Sequence, residues 1–235
     1  MVGEKDFQER TRLLVGEAGV ACLQKARVAM LGLGGVGSYA LEALARAGIG
    51  AFWLIDGDVI ELSNLNRQLL ALRSTLGAAK TEAARARVAD INPRALVRCE
   101  QMRYTAESGL DFTGWDYVVD AIDEMNPKVA LALACRQAGT PLIAAMGAGR
   151  RLQTAGFSVC DVGVSRGDPL ARRYRRLLRE RGVAEGVKVV VSAEPPLPQT
   201  PGEAVGSVSF VPAVVGLLMA GEVVRELLGK GKLGG

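Results

Sequence analysis

A short apolar segment runs directly into a glycine-rich turn, and this junction restricts the possible folds more than any other feature of the chain. Val28–Leu31 has the length and apolar character of a strand that is buried on both faces. Gly32, Gly34 and Gly37 follow with the spacing G-x-G-x-x-G, which allows a tight turn and a close approach of the backbone to phosphate. Helix-forming residues 38–47 come next, so the first amides of this helix would face a bound anion. The sequence therefore predicts a nucleotide site on a strand–turn–helix unit.

The next polar residues indicate which kind of nucleotide this site takes. A second predicted strand ends at Asp56, 19 residues after Gly37, where an acid binds a nucleotide ribose in this type of fold. A dense polar cluster follows at Asn64, Arg67 and Gln68. A dinucleotide enzyme has no need of such a cluster, whereas a triphosphate does, because arginine and amide side chains donate to phosphate oxygens. The pattern favours ATP over a nicotinamide or flavin cofactor.

Two later segments add charges suited to the same ligand. Lys80 opens a helical pattern over residues 80–90 and can neutralise further phosphate charge. Residues 117–123 are predicted to form another buried strand, with Asp120 and Asp123 near its carboxyl end. Ligands of open α/β sheets lie outside the carboxyl ends of the strands, so a carboxylate there is well placed to bind Mg²⁺ beside phosphates.

The order of elements predicts an α/β fold of the Rossmann-like, doubly wound type with a mostly parallel sheet. Strand and helix patterns alternate from Val28 to about Ala145. Beyond Thr154, strand-like segments accompany one long basic helix and predict an added C-terminal region of mixed strands and helix. These strand-like segments are 156–159, 187–192 and 207–211. The 235 residues suit one domain, in which we expect an N-terminal helical segment (1–27), a nucleotide-binding core (28–150) and a substrate and dimer region (151–235).

Taken together, these residues resemble the ThiF/MoeB/E1 superfamily of ATP-dependent adenylating enzymes over nearly the whole chain. The resemblance implies that Asp56 binds the ATP ribose. It assigns the phosphates to Asn64, Arg67 and Lys80. It assigns Mg²⁺ to Asp123.

The resemblance also implies a homodimer. In this superfamily an arginine near the N-terminus often completes the site across a dimer interface, and Arg12 matches that position best. The implied catalytic residues are Arg12, Arg67, Lys80 and Asp123, and the implied nucleotide-binding residues are Gly32, Gly34, Gly35, Gly37, Asp56, Asp58, Asn64 and Gln68.

The cysteines help to separate the branches of the superfamily. Cys22, Cys99, Cys135 and Cys160 form no C-x-x-C pair, and the chain has no histidine. We therefore expect no zinc site of the usual four-ligand type. Each cysteine lies in a helical or strand-like apolar pattern, which is typical of a small buried hydrophobic residue rather than of a catalytic thiol.

Further elements of the sequence narrow the resemblance. They are residues 12–17, 147–149, 160–161, 166–172 and 191–195. Together they look like the tRNA threonylcarbamoyladenosine dehydratase family, whose members use ATP to remove water from a modified adenosine next to the tRNA anticodon. The resemblance implies that the substrate carboxylate is adenylated and then attacked from within its own side chain. Two alternatives stay open. One is adenylation of the C-terminal glycine of a ubiquitin-like sulfur-carrier protein, with a carrier or sulfur-transfer protein as partner, and the other is a non-catalytic nucleotide- or tRNA-binding module.

Two departures from the dehydratase pattern bear on ions and sulfur. The family often has an Asp-Pro pair shortly after the Gly-Ala-Gly turn, where this chain has residues 152–154, Leu-Gln-Thr. The resemblance implies that this position binds a monovalent cation, Na⁺ or K⁺, or belongs to a substrate loop. The difference in sequence argues against either role here. Some members carry a cysteine where this chain has residues 189–191, all valine, which argues against sulfur handling at that position.

Arginine is enriched in one part of the sequence. The chain has 22 arginines and 7 lysines, and seven of the arginines fall within one 16-residue segment. Arg172, Arg176 and Arg179 have the spacing of one helix face, with Arg173 beside them. Tyr174 lies among them as a candidate for stacking on a base. This cluster predicts a tRNA contact, and the alternative is a solvated helix face.

Other features bear on location and flexibility. No secretory signal precedes Asp6, and the cysteine pattern fits a reducing compartment, so we expect a cytoplasmic protein. The apolar run Val208–Ala220 contains a proline and is short for a membrane span, so no membrane partner is expected. The proline-rich segment 194–206 is expected to be a mobile crossover loop. The terminal pair Gly234-Gly235 is a weak signal for a carrier-like tail.

Overall fold

The computed structural model describes residues 7–200 and 202–230, so the Gly234-Gly235 pair lies outside the described residues. Within these ranges, seven strands form one sheet in the order β3-β2-β1-β4-β5-β7-β6. The strands are β1 (Arg27–Leu31), β2 (Ala51–Ile55), β3 (Leu96–Glu100), β4 (Tyr117–Asp120), β5 (Leu142–Ala145), β6 (Phe157–Asp161) and β7 (Lys188–Ser192). Neighbouring strands are parallel, except that β6 is antiparallel to β7.

Six α-helices connect and cover these strands in the described part of the chain. They are α1 (Glu9–Lys25), α2 (Gly35–Ala47), α3 (Lys80–Ile91), α4 (Met125–Ala138), α5 (Pro169–Arg179) and α6 (Phe210–Lys230). The helix α2 crosses from β1 to β2, α3 from β2 to β3, and α4 from β4 to β5, as parallel pairing of these strands requires.

Both faces of the sheet are buried, which explains why its central strands are apolar throughout. In β1, Val28 and Met30 face a core shared with α1, α2, α3 and α6. Ala29 and Leu31 face a second core shared with α4 and α5. Successive side chains of a strand point to opposite faces, so a strand with helices on both sides needs an unbroken apolar run.

The predicted doubly wound, mostly parallel α/β fold is confirmed. The C-terminal strands β6 and β7 extend the same sheet beyond β5 rather than forming a separate layer. One boundary differs at the edge of the site, because β4 ends at Asp120 and Asp123 lies in the turn that follows.

The prediction of a strand-like segment at residues 207–211 is wrong. The chain runs there through a loop and enters α6 at Phe210. Pro212 is compatible with the first helical turn, whose N–H groups have no partner within the helix. The residue Gly216 lets α6 pack closely on α2, since a Cβ there would lie 2.4 Å from the Val36 carbonyl oxygen. In the described residues, no helix combines the length and apolar character needed to cross a membrane.

Replacing Gly37 by alanine should destabilise the fold, because the added Cβ would lie 1.9 Å from the carbonyl oxygen of Gly32. We expect a loss of about 1–3 kcal/mol or more in the free energy of unfolding. Gly221→Ala is the matched control, since a Cβ there meets no atom within 4 Å and alanine favours a helix by about 0.5–1 kcal/mol. Urea unfolding of both variants measures the difference. Equal stabilities would contradict the close packing at Gly37.

Candidate active site

A cleft of about 490 Å³ opens at the carboxyl ends of β1, β2 and β4. It brings together ten of the residues expected from the sequence. These are Gly32, Gly34, Gly35, Asp56, Asp58, Asn64, Arg67, Gln68, Lys80 and Asp123. They come from four separate segments of the chain, and the parallel order β2-β1-β4 places those segments side by side.

The glycine turn forms the floor of the cleft. Gly32 has a φ of 87°, and a Cβ there would lie 2.6 Å from the carbonyl oxygen of Ala121. The helix α2 begins directly after Gly34, and no side chain of the described residues caps its first turn. Its first N–H groups are therefore available to a bound anion. Gly37 does not line the cleft and instead packs against Gly32.

The Asp56 carboxylate joins the glycine turn to the end of β2. One oxygen, Oδ2, accepts a hydrogen bond from the Leu33 amide at 2.6 Å, and Oδ1 accepts one from the Asp58 amide at 2.8 Å. Two backbone donors therefore fix the orientation of this carboxylate beside the glycine turn. This is the place at which an acid meets a ribose in dinucleotide-binding folds.

A small charge network crosses the cleft from Lys80. Its side chain is only 7% exposed, and Nζ lies 2.8 Å from Asp58 Oδ2. Arg103 approaches the other oxygen of Asp58 at 3.1 Å and also lies 3.7 Å from Glu124. The hydrogen bond from Lys80 lowers the pKa of Asp58, and Arg103 acts in the same direction. The carboxylate of Asp58 therefore pairs with two cationic side chains at the cleft, those of Lys80 and Arg103.

The polar cluster after β2 lies beside the glycine turn, because a Cβ at Gly34 would lie 3.7 Å from Gln68 Nε2. Asn64 ends a short 3₁₀-helix, and its Oδ1 accepts a hydrogen bond from the Glu61 amide at 3.1 Å. Arg67 donates to the Ser63 carbonyl oxygen at 2.9 Å. The Gln68 amide is buried, and its Oε1 has no hydrogen-bond partner among the described residues. Local backbone groups therefore hold Asn64 and Arg67, and all three side chains line the cleft.

The two acids near β4 have different environments. Asp123 is exposed and lines the cleft. Asp120 is fully buried and lies 3.0 Å from Lys128 Nζ. Burial raises the pKa of the Asp120 carboxyl, while the Lys128 ammonium acts against that rise. Asp120 therefore cannot reach a ligand in the cleft, and Asp123 is the acid available there.

Arg12 does not line the cleft of its own chain. It lies in the first half of α1 and forms an ion pair with Glu17 at 2.8 Å. The helix is interrupted at Gly16, which has a φ of 71°. Next to Arg12, Leu13 and Leu14 are 77% and 86% exposed.

The arginine cluster lies on the opposite side of the sheet from α2 and α3. Arg172, Arg173, Arg176 and Arg179 are all exposed on α5. Tyr174 is fully buried in the core, and its hydroxyl donates to the Lys128 carbonyl oxygen at 3.4 Å. The expectation that Tyr174 stacks on a base is therefore wrong. Tyr174 falls two residues after Arg172 and two before Arg176. Residues two apart lie on nearly opposite sides of a helix, so the ring faces the core while the arginines face solvent.

A second cavity, of about 740 Å³, adjoins the cleft. Its lining comes from residues 150–152 and from the described residues between 197 and 208, and Ser207 lines both spaces. The Leu197 amide donates to the Arg150 carbonyl oxygen at 2.7 Å, and the Arg150 amide donates to the Gly206 carbonyl oxygen at 2.8 Å. The described part of the proposed crossover loop contains no helix or strand, and these bonds hold it against Arg150.

Several lining residues were not found from the sequence. They are Met102, Arg103, Tyr104, Glu124, Ala148, Gly149, Val205, Ser207 and Pro212. Arg103 had a usable signal, because it follows within three residues of the end of β3 and so lies at the same carboxyl edge of the sheet as Asp56. Val205 and Ser207 had none, since their position depends on how a long irregular loop returns to the sheet.

Comparison with known proteins identifies the family. The model of the ThiF family matches residues 8–234. The chain therefore belongs to the ThiF family.

Individual relatives narrow the similarity. The chain is 40% identical to the tRNA threonylcarbamoyladenosine dehydratase of Bacillus subtilis, over 93% of each chain. It is similar to the crystal structure of the E. coli tRNA N6-threonylcarbamoyladenosine dehydratase, TcdA, in complex with ATP, with 34% identity, full coverage of both chains and a TM-score of 0.89. A yeast adenylyltransferase and sulfurtransferase, UBA4, is 33% identical over 63% of this chain and 34% of its own length.

The Asp58–Lys80 pair should make part of the stability pH-dependent. The folded pKa of Asp58 is depressed, so its contribution is present above the unfolded pKa of about 3.9 and is lost as pH falls through the folded value. Asp58 is 45% exposed, so we expect Asp58→Asn to cost at most about 1 kcal/mol at pH 7. Urea unfolding from pH 7 to pH 3 should show this difference shrinking with acid. A difference that is constant with pH would contradict the assignment.

Proposed function

We propose that this protein uses ATP to cyclise threonylcarbamoyladenosine in tRNA, by adenylating the substrate carboxylate and so removing water. One observation carries the proposal: a single cleft collects Asp56, Arg67, Lys80 and Asp123 around the glycine turn. Mere nucleotide binding does not require all of these charges. The similarity to dehydratases over 93% of the chain supports tRNA as the substrate, rather than a carrier protein.

The cleft suits ATP in one orientation. Asp56 would accept hydrogen bonds from the ribose hydroxyls, and the glycine turn with the start of α2 would bind phosphate. Arg67 and Lys80 would stabilise the negative charge that develops on the phosphoryl oxygens, with Asn64 and Gln68 as neutral donors. Their contribution is positioning and electrostatic stabilisation rather than covalent chemistry.

The cleft also fits Mg²⁺ bound together with the nucleotide. Mg²⁺ in nucleotide sites takes one or two carboxylates and completes its shell with phosphate oxygens and water. Asp123 offers such a carboxylate, whereas the described residues contain no group of three acidic, cysteine or histidine side chains that could hold a metal alone. A bound Mg²⁺ would neutralise phosphate charge. Asp123 would orient it from the turn after β4.

In the reaction, the substrate carboxylate attacks the α-phosphorus of ATP and pyrophosphate leaves. A nucleophilic atom of the same side chain then attacks the acyl carbon and loses its proton to solvent. The bond from this carbon to the AMP oxygen breaks, so the oxygen lost from the substrate leaves in AMP as the ring closes. No protein nucleophile is needed. In agreement, none of the four cysteines lines the cleft, and burial raises the pKa of the Cys99, Cys135 and Cys160 thiols.

The second cavity is the proposed site for the modified adenosine. It joins the nucleotide cleft at Ser207, so a side chain entering from this cavity can direct its carboxylate at the phosphates. Arg150 and Gln199 contribute polar groups to its lining, whereas Leu152 and Leu197 contribute apolar surface. A few polar groups on a mainly apolar wall are typical of small-molecule pockets.

The proposed assembly is a homodimer in the cytoplasm. Arg12 lies outside the cleft of its own chain, beside the exposed Leu13 and Leu14. Exposed apolar side chains of this kind favour a protein contact, through which Arg12 would reach the partner's cleft. The role of a monovalent cation is tested by adding K⁺ or Na⁺ in the activity assay, since no residue is assigned to it.

The function is tested by incubating the protein with ATP and tRNA that carries threonylcarbamoyladenosine, followed by mass spectrometry of the nucleosides. We expect ATP-dependent loss of one water from that nucleoside. Asp123→Asn should reduce conversion by about 10²-fold or more with unchanged circular dichroism, because the phosphate charge is less well stabilised. Asp90→Asn, an exposed acid on α3, is the control and should retain activity.

Two outcomes would overturn parts of this assignment. Conversion of a carrier protein's C-terminal glycine to its adenylate, with no change in tRNA, would favour the ThiF/MoeB-type alternative. Full activity of Asp123→Asn would remove the proposed metal role from this residue.

Neutralising Arg172, Arg176 and Arg179 together to glutamine should weaken tRNA binding and flatten its salt dependence. Removal of one arginine–phosphate interaction lowers the slope of log affinity against log salt by about one unit. ATP affinity should not change, because α5 does not line the cleft. The control replaces Arg46, Arg85 and Arg94, which lowers the net charge equally on the α2–α3 side. Identical slopes for the two triple variants would show that the α5 face is only solvated.

A further inference from the structure

A lysine and an aspartate form an ion pair in the core behind the cleft. Lys128 lies in α4 and Asp120 ends β4, and neither side chain has any exposed surface. Nζ lies 3.0 Å from Asp120 Oδ1, and neither residue lines the cleft. Replacing a buried ion pair by apolar residues is often neutral or stabilising, so stability alone does not account for this pair.

The same ammonium also binds the backbone of the turn after β4. Lys128 Nζ donates to the Ile122 carbonyl oxygen at 3.0 Å. Asp120 Oδ1 accepts a hydrogen bond from the Ile122 amide, also at 3.0 Å. Both polar backbone groups of Ile122 are therefore held by the ion pair. Ile122 directly precedes Asp123, which lines the cleft.

The turn is fixed on its other side by the glycine turn. The Ala121 amide donates to the Leu31 carbonyl oxygen at 2.8 Å, and Gly32 leaves no room for a Cβ against Ala121. With one side set by β1 and the other by Lys128, the turn has a defined position relative to the phosphate-binding amides. The position of Asp123 depends on both contacts.

We propose that Lys128 is a positioning residue of the adenylation site, which fixes Ile122 and thereby directs Asp123 at the bound nucleotide. This rests on the proposed function, in which Asp123 binds the Mg²⁺ of MgATP. Lysine suits the role because its ammonium has three donors and can bind a carboxylate and a carbonyl oxygen together. Lys128 itself touches neither nucleotide nor metal.

Two variants separate positioning from simple charge neutralisation. Lys128→Met fills the same space but leaves the Asp120 charge buried without its partner, so it should lose stability. The double variant Lys128→Met with Asp120→Asn removes both charges. Its asparagine Oδ1 can still accept from the Ile122 amide, but no ammonium binds the Ile122 carbonyl oxygen. Arg87→Met is the control, because it breaks the Arg87–Glu42 ion pair away from the cleft.

The measurements are amide hydrogen exchange at Ile122 and Asp123, calorimetric binding of ATP with and without Mg²⁺, and kcat and KM. In the double variant we expect exchange to rise by about tenfold or more. We expect MgATP affinity and kcat to fall by about 10–100-fold, as for loss of a group that orients a metal ligand. Affinity for metal-free ATP should stay within about twofold, because the ribose and phosphate residues are unchanged. The Arg87→Met control should match the wild type in all of these.

Wild-type exchange and wild-type MgATP binding in the double variant would overturn the proposal, and would show that Lys128 serves only to neutralise Asp120. Equal losses in the Arg87→Met control would also overturn it, because the effect would then follow general stability. If Asp123→Asn binds MgATP as the wild type does, the metal role in the proposed function fails instead. The exchange data still decide whether Lys128 fixes the turn.

Discussion

The close packing of the glycine turn against the turn after β4 determines the geometry of the site. Gly32 has a positive φ and leaves no space for a side chain beside Ala121, so the two turns meet backbone to backbone. Parallel pairing of β1 with β4 brings their carboxyl ends to the same edge. The uncapped amides at the start of α2 and Asp123 therefore face one space, and a larger residue at position 32 would separate them.

The cationic side chains of the cleft differ in how far neighbouring carboxylates neutralise their charges. Lys80 and Arg103 share Asp58, so part of their charge is already neutralised by the protein. Arg67 instead donates to the Ser63 carbonyl oxygen and forms no ion pair within the described ranges. Among these three cationic side chains, that of Arg67 is therefore the one whose charge no carboxylate of the described residues compensates.

The elements and site residues that could be predicted from the sequence are those encoded by a pattern of neighbouring residues. The central strands and the helices after β1 and β2 followed from apolar runs, glycine spacing and helix formers, all within a few neighbouring residues. The acid Asp56 and the cation Lys80 were found because they follow predicted strands or begin predicted helices. Residues whose place depends on distant packing were missed or misassigned: Tyr174 turned inward with its helix face, and Ser207 reached the cleft through an irregular loop. The segment 207–211 favoured a strand by composition, but packing of α6 on α2 overrode that preference.

The order of these pieces along the chain matters for redesign. Residues assigned to ATP lie between Gly32 and Asp123, whereas the second cavity is formed by two later segments that hydrogen-bond to each other at Arg150 and Leu197. Grafting both later segments together from a relative would leave the cleft residues between Gly32 and Asp123 unchanged and would alter the cleft wall only at Val205 and Ser207. Grafting one alone would set its backbone against an unmatched partner segment, although the hydrogen bonds at Arg150 and Leu197 require the two backbones to fit each other. The pair is thus the smallest unit of the second cavity that can be exchanged without mismatched backbone contacts.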